Sequence, residues 1–206
     1  MIAIIDYGLG NIGAFETVYK KLNIPVTIAR TVSELKKASR LILPGVGTFD
    51  HAMQRLNKSG MRQFLDELVL QCRVPVLGVC VGMQMLAHSS EEGSLSGLGW
   101  IEGEVKKLKP EKNFINTVLP HMGWNDIQPE PEIKTSLFQG IESGARFYFL
   151  HSYYFQCQKR RDRLAVTDYG VKFTCAVNSE NVFGVQFHPE KSHQNGIQLL
   201  ENFAKV

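Results

Sequence analysis

The residue pattern predicts an α/β fold: an open, mostly parallel sheet with helices on both faces, plus added antiparallel strands. Three observations carry this reading. Short apolar runs alternate with helix-spaced stretches through the first half of the chain. Those runs are continuously apolar, as strands covered on both faces are. From about residue 100 the helical spacing gives way to closely spaced short strands. At 206 residues the chain is long enough to bury a substantial core. A single domain, residues 1–206, is expected.

The elements follow in order. Ile2–Asp6 reads as a first strand. It is too short, and lacks the basic flank, for a signal peptide. Asn11–Leu22 spaces Ile12, Phe15, Val18, Tyr19 and Leu22 as one helix face does. Ile24–Ala29 is a second strand. Ser33 is placed to cap a short helix that carries Glu34 early. Leu41–Pro44 is a third strand, ending in Gly45-Val46-Gly47. Helical stretches follow at Phe49–Leu56 and Met61–Gln71. The run Val74–Leu77 then leads into Cys80, and Met83–Ala87 is helix-like. Later strands are expected at Gly103–Leu108, Trp124–Ile127, Arg146–Leu150, Leu164–Tyr169, Thr174–Asn178 and Val182–Gln186. A closing helix is expected over Ser192–Lys205. The stretch Gln128–Ser136, rich in Pro and Glu, reads as an exposed loop.

Composition excludes several function classes. Formal charge is +3, with no long run of like charge, so nothing supports a nucleic-acid partner. No apolar stretch approaches the roughly 18 residues of a membrane span. The four cysteines, Cys72, Cys80, Cys157 and Cys175, form no C-x-x-C pair. A zinc cage is therefore not expected, and no metal or cofactor is called for. Free thiols fit a reducing compartment, which points to the cytoplasm. Cys72, Cys157 and Cys175 read as small, partly buried core residues.

Cys80 is different. It sits in Gly78-Val79-Cys80-Val81-Gly82, between a strand and a helix. That is the sequence form of a nucleophile elbow with cysteine in place of serine. The glycines permit a tight turn that presents the sulfur at a strand end. The following helix N-terminus favours thiolate and offers N–H groups to an oxyanion. A buried thiol at a tight turn is the plainer alternative. Phe187-His188-Pro189-Glu190 argues against it. Proline biases His188 to extended backbone, where residues i and i+2 share a side. Glu190 can then hold the imidazole of His188, giving nucleophile, base and acid in chain order. In Leu43-Pro44-Gly45-Val46-Gly47, glycines at a strand end let backbone approach a ligand, and their N–H groups would join that of Val81 as oxyanion donors. Gly8-Leu9-Gly10-Asn11-Ile12-Gly13 matches a dinucleotide fingerprint, although the second strand ends in Ala29-Arg30 rather than an acid. An NAD(P) module without catalysis is the remote alternative, and it leaves Cys80, His188 and Glu190 without a role. A stand-alone cysteine hydrolase or peptidase on the same elbow is another.

With G-x-C-x-G and a late H-P-E, the chain resembles the class I, triad-type glutamine amidotransferases, whose fold is flavodoxin-like. Further motifs place it near the glutaminase subunits that feed ammonia to a (β/α)8-barrel synthase. These are Asp6–Asn11, Pro44–Gly47, Pro120–Asn125, His151–Tyr154 and Phe187–Ser192, which together span most of the chain. The resemblance implies that Cys80 attacks the amide of glutamine, His188 protonates the departing ammonia and Glu190 orients His188. It implies an oxyanion site at Gly45, Val46, Gly47 and Val81. Gly47, Gln84, Ser152 and Tyr153 match positions that grip glutamine. Asn11, Trp124, Tyr148 and Lys191 match positions at the interface of a heterodimer with the barrel partner. The barrel's products would be imidazole glycerol phosphate and aminoimidazole carboxamide ribotide, in histidine biosynthesis. Similar subunits also pair with barrel paralogues that amidate surface-polysaccharide sugars, which is the alternative pathway.

Overall fold

The computed structural model describes residues 1–109, 118–133 and 135–206. The first half folds as β1 (Ile2–Ile5), α1 (Ile12–Lys21), β2 (Val26–Ala29), α2 (Val32–Leu35) and β3 (Arg40–Gly45). It continues through α3 (Phe49–Lys58), α4 (Arg62–Asp66), β4 (Val76–Cys80) and α5 (Val81–Gln84). The second half carries β5 (Ser89–Ser90), β6 (Gly103–Lys107), β7 (His121–Asp126), β8 (Gln128–Pro129), β9 (Arg146–His151) and β10 (Tyr153–Cys157). It closes with β11 (Arg163–Asp168), β12 (Lys172–Ser179), β13 (Val182–Val185) and α6 (His193–Phe203).

Eight strands form the main sheet in the order β2-β1-β3-β4-β13-β12-β11-β8. From β2 to β13 neighbours run parallel. From β13 to β8 they run antiparallel. The continuously apolar strands are buried on both faces, as their composition requires: every residue of β1 and β4 is buried. The helices cover the sheet with apolar stripes, Phe15 and Tyr19 on α1 and Phe49, Ala52, Met53 and Leu56 on α3. Truncating Phe15 to Ala would cost about 3–5 kcal/mol by the usual cost of emptying an aromatic site. Two smaller sheets, β10-β6-β5 and β7-β9, stand beside the main one.

Several expectations need correction. The short second helix is capped by Thr31, not Ser33. Glu34 accepts from the Arg30 and Thr31 N–H groups and closes a capping box. Ser33 and Thr31 are both small hydroxyl residues near the helix start, so the pattern did not separate them. The stretch Met61–Gln71 is α-helical only to Asp66 and widens to a π-helix over Glu67–Gln71. Gln128–Ser136 is not simply an exposed loop, although Lys134 lies outside the described residues. Gln128 and Pro129 pair with β11 at the sheet edge, where proline's missing donor costs nothing, and Glu130 accepts from Arg163 Nε at 2.7 Å. Tyr153–Cys157, which overlaps the His151–Tyr154 motif, forms the strand β10. Cys72 is exposed rather than part of the core.

Candidate active site

β3 and β4 lie side by side, with Gly45 opposite Cys80 at their C-terminal ends. Cys80 adopts φ 55° and ψ −114°. A non-glycine residue there carries strain on the order of 1–3 kcal/mol and needs a surrounding structure that enforces it. Glycine supplies the fit. A Cβ on Gly82 would strike the Leu43 carbonyl, and one on Gly45 would strike the Gly82 N–H. The strand and the elbow therefore touch backbone to backbone. The helix after Cys80 starts at Val81, earlier than the pattern suggested, and is a single turn. With one turn, the segment offers the first N–H groups of a helix at Cys80 rather than the dipole of a long one.

His188 follows β13 in extended conformation, φ −101° and ψ 93°. Its N–H donates to Tyr148 O at 2.8 Å, and Ser192 Oγ donates to its carbonyl at 2.6 Å. Held from both sides, its Nδ1 meets Glu190 Oε1 at 2.9 Å, and its ring shares the cavity wall with Cys80. Burial pulls the imidazolium down, but the neighbouring Cys80 and Glu190 outweigh it and raise its pKa to about 10. The Glu190 side chain is 1% exposed, with Oε2 unpartnered. The elbow and the H-P-E turn, over a hundred residues apart in sequence, thus form one buried constellation. Burial is the largest cause that raises the thiols of Cys157, to about 12, and of Cys175.

A cavity of about 300 Å³ opens over Cys80 and His188. Of the residues singled out in the sequence, Val46, Gly47, Val81, Gln84, Ser152 and Tyr153 line it. Gly45 does not; it is buried against the elbow, where its missing side chain matters. Pro120 and His151 belong to the motifs without an assigned role, Glu92 and Leu150 lie outside them, and all four also line the wall. Glu92 accepts the Phe49 N–H at 2.8 Å, and burial still lifts its carboxyl above the usual range. Only tertiary packing brings it here, since it lies in a loop with no motif of its own. Lys191 also lines the cavity.

The Ser152–Tyr153 segment is fixed by a directed chain of hydrogen bonds. Tyr153 O can only accept, and His151 Nδ1 lies 2.8 Å from it. His151 Nε2 must then accept from His121 Nδ1 at 3.0 Å. His121 Nε2 in turn faces Asn125 Nδ2, which also donates to Asp168 O. Burial lowers both imidazoles, His121 to about 4 and His151 to about 3, so both are neutral. Gln84 Nε2 spends its two hydrogens on Tyr153 O and Gln186 Oε1, leaving Gln84 Oε1 as an acceptor.

Three of the four expected interface residues cluster. Trp124 stacks on His193 and meets Tyr148 edge-on, and Lys191 Nζ lies 5.7 Å from the Tyr148 ring. Asn11 is exposed at the start of α1, which packs on the Pro189–Lys191 turn. Two glycines of the dinucleotide-like loop serve packing: the Arg55 guanidinium, whose Nε donates to Tyr7 O, fills the space beside Gly8, and Pro44 fills that beside Gly10. Among the described residues no group of three or more His, Cys, Asp or Glu is arranged to hold a metal ion, and no helix is long and apolar enough to cross a membrane.

Residues 3–206 match the family model for glutamine amidotransferase class-I. The chain belongs to the class-I glutamine amidotransferases. It is 57% identical, over the full length of both chains, to the imidazole glycerol phosphate synthase subunit HisH of Bdellovibrio bacteriovorus. It is 52% identical, again over both full lengths, to that of Leptospira interrogans. Within the class-I glutamine amidotransferases it therefore falls among the HisH subunits, and it is an enzyme rather than a nucleotide-binding module. A crystal structure titled glutamine amidotransferase shares the fold, with TM-score 0.74 at 18% identity over 100% of this chain and 99% of that one. A glutamine amidotransferase from Thermotoga maritima has TM-score 0.62 at 20% identity, covering 92% of this chain and 75% of that one.

Proposed function

We propose that this amidotransferase subunit hydrolyses free glutamine and passes the ammonia to a (β/α)8-barrel synthase partner. The heterodimer would make imidazole glycerol phosphate and aminoimidazole carboxamide ribotide in histidine biosynthesis, in the cytoplasm. The observation that carries this is the buried Cys80–His188–Glu190 constellation on the wall of a cavity with one carboxylate and one ammonium at its rim. A free amino acid needs both: Glu92 for the α-ammonium and Lys191 for the α-carboxylate. Gln84 Oε1 accepts a further N–H from the substrate, and Gly47, Ser152 and Tyr153 shape the slot.

Cys80 Sγ attacks the side-chain carbonyl carbon. The N–H groups of Val81 and of the Gly45–Gly47 strand hold the oxyanion. His188 gives its proton to the amide nitrogen as the C–N bond breaks, so ammonia leaves and a glutamyl thioester remains. Water, activated by the now neutral His188, hydrolyses the thioester to glutamate and frees the thiolate. Glu190 keeps the imidazole oriented throughout.

The ammonia needs a dry exit, and the outer face of the β7-β9 ladder suits a docked partner. Met122, Trp124 and Leu150 are all more than a third exposed there, in the cross-strand pairs Met122–Leu150 and Trp124–Tyr148. Val46 adds to this patch at the cavity edge. Exposed apolar area of this kind marks an interface. The relatives' name favours the histidine-pathway partner over sugar amidation.

Glutamine labelled with ¹⁵N at its amide tests the proposal. With the barrel partner and its acceptor present, label should enter the product and little should reach bulk ammonium. Label lost quantitatively to solvent, or no glutamate formed, would overturn it.

A further inference from the structure

Gln186 ends β13's run toward the H-P-E turn and is fully buried. Its backbone N–H donates to Cys175 O at 2.8 Å, which fixes the residue in place. Its side-chain amide lies between Gln84 and the nucleophile, and nothing in the mechanism above uses it. The orientation of that amide follows from one backbone carbonyl. Tyr153 O only accepts, so the Gln84 atom 3.0 Å from it is nitrogen. That nitrogen lies 3.1 Å from one terminal atom of Gln186, which must be oxygen. The other terminal atom, 3.8 Å from Cys80 Sγ, is therefore the amide nitrogen.

We infer that Gln186 is a further catalytic residue of the glutaminase reaction: its amide N–H donates to Cys80 Sγ and holds the sulfur as thiolate. Cys80 has two competing neighbours. Leu150 O, at 3.7 Å, accepts from a protonated thiol, whereas the Gln186 N–H is satisfied by a charged sulfur. A donor aimed at the charged form favours it. His188 supplies the counter-charge from another direction, so loss of the Gln186 donor weakens the thiolate without removing the base. The same amide ties Gln84, on the substrate wall, to the reacting atom.

This inference rests on the reading of Cys80 as nucleophile. Its test is the pH dependence of Cys80 alkylation by iodoacetamide in the full-length chain, read by mass on the peptide that carries Cys80 but not the exposed Cys72. Gln186→Met removes the donor at similar volume. Gln186→Leu likewise removes the donor without adding a charge, so it serves if the methionine variant does not fold. In both, the pH of half-maximal alkylation should rise by about one unit, the scale of a single lost hydrogen bond to a charged group. The plateau rate at high pH should stay within about twofold, because accessibility is unchanged. Profiles that superpose on wild type, or a fall in plateau rate with no shift in midpoint, would overturn it. Failure of wild type to form glutamate would instead count against the function proposed above, and the alkylation profile would still decide the role of Gln186.

Discussion

Cys80, His188 and Glu190 carry different burdens, and substitution should separate them. His188→Ala should lower kcat by about 10²–10⁴-fold, the range a positioned proton carrier contributes. Glu190→Gln should cost less, because the neutral amide oxygen still accepts the Nδ1 proton. Steady-state glutamate release in the complex checks both. This triad was legible in the sequence because each half has a local signature, a glycine-flanked cysteine and an extended His-Pro-Glu turn. Glu92 and Gln186 were not legible. Neither has a local pattern, and each reaches the site only through tertiary packing.

Strand β3 and the elbow after β4 are locked by close backbone contact, so their glycines are tests at the level of the element. Gly82→Ala places a methyl against the Leu43 carbonyl. It should destabilise the chain by about 1–3 kcal/mol, as overpacking does, and should depress glutaminase activity more than global stability implies. Urea denaturation alongside activity checks this. The buried histidines set the pH dependence of stability. His121 and His151 are lowered from the ordinary 6.5 to about 4 and 3, so the unfolded chain binds more protons between those values and 6.5. Stability therefore falls as pH drops through that window. His188 is raised to about 10, so its contribution is complete below 6.5 and is lost as pH rises toward 10. From these three groups, the urea midpoint should peak near pH 6.5. His188→Asn should flatten the alkaline limb, and His121→Asn should reduce the acid limb. The strands and helices of the first half were legible because apolar runs and 3.6-residue spacing alternate cleanly there. The edge strand at Gln128–Pro129 and the Thr31 cap were not, since a proline at a sheet edge and neighbouring hydroxyls leave no distinguishing pattern.

At the scale of the whole molecule, sheet topology brings a buried triad and an exposed apolar ladder to one end of the sheet. β9 serves both: His151 and Leu150 line the cavity, and Leu150, paired with Met122, also joins the exposed ladder. Trp124→Ala should weaken binding of the barrel partner by about 30-fold, the effect of losing a hot-spot aromatic of roughly 2 kcal/mol. Titration calorimetry with the purified barrel measures it. An interface at Trp124 is expected from motif resemblance alone, because a solvent-facing tryptophan looks no different in sequence from a core one. The most direct measurement of the central claim is glutamate formation by the Cys80→Ala complex supplied with glutamine and acceptor. We expect no glutamate above the uncatalysed background, with barrel binding retained and product still formed from added ammonium salt. Glutamate release at the wild-type rate would contradict a cysteine-based glutaminase.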